Sequence, residues 1–245
     1  MTQSVDNDVL NANIPASFRD VDGHWYGLTS RGRIIVTSKD RVSDGLIENY
    51  ADLAKPELNG RICTRSGKHS YMVELIASVM AHEGEAATKD WLTAVKGNLA
   101  RKPQGNDRAQ VKAISQGECD VAIINTYYMG AMMTNPDQQA WADSVNVVFP
   151  NQSDRGTHMN ISGVVLTKAS PNRDSAIKLL EFLASDSAQS MYATNNHEYP
   201  IKADVAPSEL VSSWGEFKKD TLSLNEIAAQ RANASRLVDT VDYDG

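Results

Sequence analysis

The sequence is poor in the residues that most often announce a mechanism. Only two of its 245 residues are cysteine, Cys63 and Cys119. That is too few for a disulfide scaffold, and the pair forms no C-x-x-C, so zinc-ribbon and thioredoxin-like readings lack support. Two buried thiols, or one disulfide made in an oxidising compartment, both remain open. The five histidines lie scattered at His24, His69, His82, His158 and His197. His82-Glu83 opens a zincin pattern, but Ala86 stands where its second histidine is needed. G-x-S-x-G, P-loop and G-x-G-x-x-G signatures are missing. No nucleophile–base pair can be named, so an enzyme is the least favoured class. Basic charge is also in deficit. Lys+Arg number 24 against 31 Asp+Glu, for a net charge of −7 and a pI of about 5.2. A whole-protein footprint for nucleic acid or an anionic membrane is thereby excluded. No run approaches the ~20 apolar residues of a spanning helix. The first residues, Met1 to Asp6, are polar and acidic. They carry neither a signal-peptide nor a transit-peptide pattern, and a mature or shortened chain would look the same.

What is present describes a globular protein. Hydrophobic residues make up 41% and charged residues 22%, which argues against disorder. The length allows one to two domains. Strands are expected at 34–36, 61–65, 119–125, 145–149 and 161–168, from short β-branched or apolar runs between polar residues. Helices are expected at 71–82, 86–100, 107–116, from 127, at 173–184, 185–194 and 222–241. Strands alternating with helices predict an α/β fold with a mainly parallel sheet.

One spacing stands out. Cys63 and Cys119 are separated by the same interval as Tyr71 and Tyr127, and each tyrosine follows its cysteine at equal distance. Both pairs fall on a strand, a short loop and a helix start. If the two strands are parallel neighbours, the cysteines can lie side by side. The tyrosines then sit beyond the carboxyl ends of the strands, the edge where open parallel sheets bind ligands.

Three motifs could carry chemistry. Asn125-Thr126-Tyr127-Tyr128 puts adjacent tyrosines at a strand-to-helix turn. Phenolate is a hard anionic oxygen donor suited to a hard trivalent cation. A free phenol has a pKa near ~10, so a metal must displace its proton. Plain amphipathic packing is the other reading of a Tyr-Tyr pair. Ser66-Gly67-Lys68-His69-Ser70 is a glycine-containing turn opening a helix; it can cap the helix or hold a small anion on its backbone N–H groups. Arg31 and Arg33 project from one face of an extended segment, because side chains alternate along a strand. Either could grip an anion bidentately, or both could be surface arginines.

Taken together, these residues resemble the periplasmic ferric-iron-binding proteins of bacterial ABC importers. The likeness is carried by WYGLTSRGRIIVTSKDRV (25–42), DLAKPELNGRICTRSGKHSY (52–71) and CDVAIINTYYMG (119–130), and continues at 98–114, 156–172 and 196–205. It covers nearly the whole chain. SGK-x-SY and N-x-YY occur together and in order. The resemblance implies a two-lobed type II periplasmic-binding fold that closes by a hinge, with Fe³⁺ held in the cleft between lobes and passed to an inner-membrane permease. It implies that Tyr71, Tyr127 and Tyr128 are the metal ligands. Arg31, in preference to Arg33, would support a synergistic anion such as carbonate, with Ser66 and Gly67 as further anion contacts. It also favours the Cys63–Cys119 disulfide. Family members carry an export signal and an early His or Tyr ligand that have no counterpart here, so the chain is expected to lack an N-terminal part.

On this reading, residues 1–37 and 151–205 form one lobe, which is incomplete. Residues 38–150 and 206–245 form the other, which carries the tyrosines. The receptor is expected to be a periplasmic monomer with no nucleic-acid partner. A receptor of the same fold for an organic anion or polyamine is the alternative, with the tyrosines as a stacking box.

Overall fold

The computed structural model describes residues 1–245 as mixed α/β structure. Helix α1 (Asp8–Asn13) precedes the long strand β1 (Tyr26–Ser38) and the short strand β2 (Ile62–Cys63). Helices α2 (Ser70–Glu83), α3 (Glu85–Gly97) and α4 (Asp107–Ser115) follow. Then come β3 (Val121–Asn125), α5 (Thr126–Met133), α6 (Gln139–Asp143), β4 (Val145–Val148) and β5 (Met159–Val164). Helices α7 (Arg173–Leu183) and α8 (Asp186–Asn196), strand β6 (Tyr199–Pro200), α9 (Glu209–Ser212) and α10 (Leu224–Thr240) complete the chain. No helix is long and apolar enough to cross a membrane.

The chain divides into two units, Met1–Arg31 with Met159–Glu216, and Gly32–His158 with Phe217–Gly245. The sequence suggested crossings after residues 37, 150 and 205; they fall after 31, 158 and 216. Strand β1 supplies a reason. All of its residues are buried, so no change of composition marks the boundary inside it.

In the larger unit the strand order is β2-β3-β1-β4. β2 and β3 are parallel, with Ile62 opposite Val121 and Cys63 opposite Ala122. β1 is antiparallel to both β3 (Arg33 opposite Asn125) and β4 (Ile35 opposite Val148). The expectation of a mainly parallel sheet is therefore corrected. β2, β3 and β4 run one way, as strands joined through helices do. β1 enters between β3 and β4 in the opposite sense, and no periodicity within a single strand reveals which neighbours it will take.

The core of this unit includes Ile35, Ile62, Leu75, Ile76, Val121, Ile123, Leu237 and Tyr243. Each fully buried aliphatic side chain contributes about 1.5–3 kcal/mol. Helix α10 packs along α2. It starts at a capping box in which Ser223 and Glu226 satisfy each other's backbone N–H. α2 stops at Gly84, whose φ of +83° disfavours any residue with a Cβ and turns the chain directly into α3.

The smaller unit pairs the first half of β1 with β6 (Thr29 opposite Pro200, Ser30 opposite Tyr199) and with β5. Its core gathers Val5, Leu10, Ile14, Tyr26, Leu180 and Ile201. The buried Gln189 stitches α8 to the strands: its Nε2 donates to the Leu28 carbonyl (2.7 Å) and its Oε1 accepts from Ile201 N–H (3.0 Å).

Candidate metal centre

β2 and β3 are adjacent and parallel, so both chains leave the sheet at the same edge. Tyr71 is the second residue of α2, and Tyr127 and Tyr128 are the second and third of α5. The two helix starts meet there. The hydroxyls of Tyr71 and Tyr127 are 3.0 Å apart. The Tyr127 and Tyr128 rings lie 4.4 Å apart, tilted by 32°. All three tyrosines are half-buried. Burial pushes the Tyr127 phenol above its ordinary range. Hydrogen bonds with the Tyr128 and Tyr71 hydroxyls push the same way, and the Asn125 side chain pulls it back. No group of three or more His, Cys, Asp or Glu side chains could hold a metal. The donor set on offer is phenolic.

A charged network lies beneath the Tyr71 ring. The Arg65 guanidinium carbon is 4.9 Å from the ring centroid and that of Arg33 is 5.8 Å from it. Both arginines share one carboxylate. Arg65 Nη1 donates to Asp107 Oδ1 (2.9 Å) and Arg33 Nη1 to Asp107 Oδ2 (2.6 Å). Arg33 also donates to Asn125 Oδ1 (3.0 Å), and Asn125 N–H donates to Asp107 Oδ2 (2.8 Å). Arg108 faces the Tyr128 ring at 5.6 Å. His69 caps α2, its Nδ1 accepting from Tyr71 N–H at 3.2 Å. Burial and the nearby Arg65 hold this imidazole below its ordinary pKa, which keeps the accepting nitrogen unprotonated.

The residues assigned to an anion are placed differently from the tyrosines. The Ser66–Gly67 turn does hold an anion, but the anion belongs to the chain. Ser66 Oγ donates to Asp244 Oδ2 (2.5 Å) and Gly67 N–H to Asp244 Oδ1 (2.7 Å). The turn is an internal latch. A Cβ on Gly67 would sit 2.7 Å from Tyr243 Cδ1, so glycine is what lets the C-terminal segment close over the turn. Arg31 belongs to the smaller unit. It donates to Ser162 Oγ (2.8 Å) and lies 4.0 Å from Glu198. Arg33, the less favoured of the two arginines, is the one in the tyrosine network.

Arg65 and Asp107 were not legible as site residues. Asp107 reads as an ordinary acidic residue in the first turn of a helix, and its complete burial has no trace in the sequence. Cys63 and Cys119 form a disulfide with Cα atoms 5.9 Å apart. It ties the β2 arm, which leads to Tyr71, to the start of the β3 arm, which leads to Tyr127 and Tyr128.

Comparison with known proteins gives the class. Residues 1–217 match the model of the bacterial extracellular solute-binding protein family, and the chain belongs to that family. Several relatives are named for iron. The chain is 43% identical over 243 residues to iron uptake protein A1 of Synechocystis, covering 98% of itself and 68% of that protein. It superposes on the apo ferric ion-binding protein A of Pasteurella haemolytica with a TM-score of 0.96 and 50% identity, covering 100% of itself and 77% of that chain. A Trichodesmium protein in complex with iron and citrate matches with a TM-score of 0.93 and 37% identity, over 99% of this chain and 77% of the other. The fold is the type II periplasmic-binding fold of those ferric-binding proteins.

Proposed function

We propose that this chain is a ferric-iron receptor that delivers Fe³⁺ to the permease of an ABC importer, with Tyr71, Tyr127 and Tyr128 as phenolate ligands. One observation carries the reading: hydroxyls from two separate strand–helix junctions meet at 3.0 Å, with the ring of a third tyrosine against the second at 4.4 Å. Three phenolates match the charge of Fe³⁺, and hard oxygen donors suit a hard cation. Each ligating phenol surrenders its proton to the solvent as iron binds. Positions left open on the metal take a synergistic anion of the carbonate or citrate type. The Cys63–Cys119 disulfide supports an oxidising, periplasmic location. Family membership supports transport rather than catalysis.

The test is a titration with ferric citrate followed by visible absorbance. Wild-type protein is expected to turn orange-red through tyrosinate-to-iron charge transfer. Tyr127→Phe and Tyr128→Phe should lose that colour. A colourless wild type that retains no iron overturns the proposal. Colourless binding of an organic anion or polyamine, insensitive to chelators, would replace iron with that ligand.

A further inference from the structure

We propose that Asp107 is the positioning residue of this centre: its single buried carboxylate sets the Tyr71 arm in register with the Tyr127–Tyr128 arm. The inference rests on the ferric reading above and deepens it.

The geometry is that of a clamp with two jaws. Asp107 opens α4 and its side chain is fully buried. Through Oδ1 it holds Arg65, whose guanidinium lies under the Tyr71 ring. Through Oδ2 it holds the backbone N–H of Asn125, the residue from which α5 and its tyrosines spring. Arg33 closes the bridge, bonded to that same oxygen and to the Asn125 side chain. Arg33 and Arg65 retain only 2% and 8% exposure. Water is therefore not on hand to replace a lost bond. The buried Arg65 Nε makes no hydrogen bond, and its guanidinium carbon lies 4.9 Å from the centroid of the Tyr71 ring.

The disulfide and the β2–β3 pairing act at the base of the two arms. They fix the strands, below the helix starts that carry the tyrosines. Asp107 acts beyond the strand ends, where a small shift moves a phenol oxygen out of bonding range. Metal ligands need such outer support, and its removal typically costs about 10–100-fold in metal affinity. An asparagine at this position would present an N–H₂ donor where every present partner donates. At least one jaw must then open.

Asp107→Asn and Arg65→Met test the clamp. Arg65→Met leaves Asp107 neutralised by Arg33, so it spares the fold an unpaired buried charge. Both proteins are loaded with ferric citrate. Three quantities are read: iron retained against excess citrate, charge-transfer absorbance per bound iron, and apo-protein melting temperature. We expect retention to fall by about 10–100-fold and the absorbance per bound iron to drop and shift, as one tyrosinate leaves the set. If Asp107 serves stability alone, the melting temperature falls while the absorbance per bound iron stays at the wild-type value. That result overturns the proposal, as does unchanged retention. Should Asp107→Asn fail to fold, Arg65→Met decides. A colourless wild type defeats the ferric reading itself, whereas a coloured wild type with equally coloured variants defeats only the clamp.

Discussion

On the ferric reading, Tyr127 is a phenol that iron must ionise against its surroundings. Burial and its two tyrosine neighbours raise its pKa above an already high value. A raised phenol pKa means the protonated form dominates across the neutral range, so iron competes with a proton there. Loading should therefore weaken as pH falls and strengthen as pH rises. Each net proton released steepens the dependence by about tenfold in affinity per pH unit. Tyr127→Phe removes one proton from that count. The slope of log affinity against pH, measured by citrate competition, should fall by about one; an unaltered slope would exclude Tyr127 as a proton-releasing ligand. At this scale the sequence was informative about the three tyrosines, because two strand–loop–helix stretches repeat the same cysteine-to-tyrosine interval. It was silent on Arg65 and Asp107. Their roles depend on which charges end up buried together, and burial is a property of the folded chain.

The elements that carry the tyrosines are held by contacts from remote sequence. From its glycine and helix-start residues, the turn before α2 reads either as a helix cap or as an anion holder. Its occupant, Asp244, lies 177 residues further on and could not be read locally. The latch makes Gly67→Ala informative. The added methyl would meet Tyr243 Cδ1 at 2.7 Å and Val238 Cγ1 at 3.0 Å. Overpacking of this kind costs about 1–3 kcal/mol. Chemical denaturation should show a loss of that size. Iron retention should fall with it, because the turn leads straight into the Tyr71 helix. Stability equal to wild type would mean that the C-terminal segment does not close over this turn in solution.

For the molecule as a whole, the α/β class was legible from alternating apolar strands and amphipathic helices, but the sheet was not. β1 inserts antiparallel between β3 and β4, and its uniform burial conceals the unit boundary it carries. Iron bound only by the native arrangement should stabilise the entire fold by mass action. At a hundredfold excess over the dissociation constant the gain is about 2.7 kcal/mol. A melting temperature that rises with ferric citrate and returns on removal of the metal by a strong chelator is the expected behaviour. No shift at saturating iron would mean that the metal binds unfolded chain equally well.

The Cys63–Cys119 bond gives the protein a timetable. Reducing cytosol keeps such thiols apart, so a newly made chain lacks the tie between its two tyrosine-bearing arms until it meets an oxidant. On the ferric reading, a reduced copy should therefore hold iron less tightly than an oxidised one.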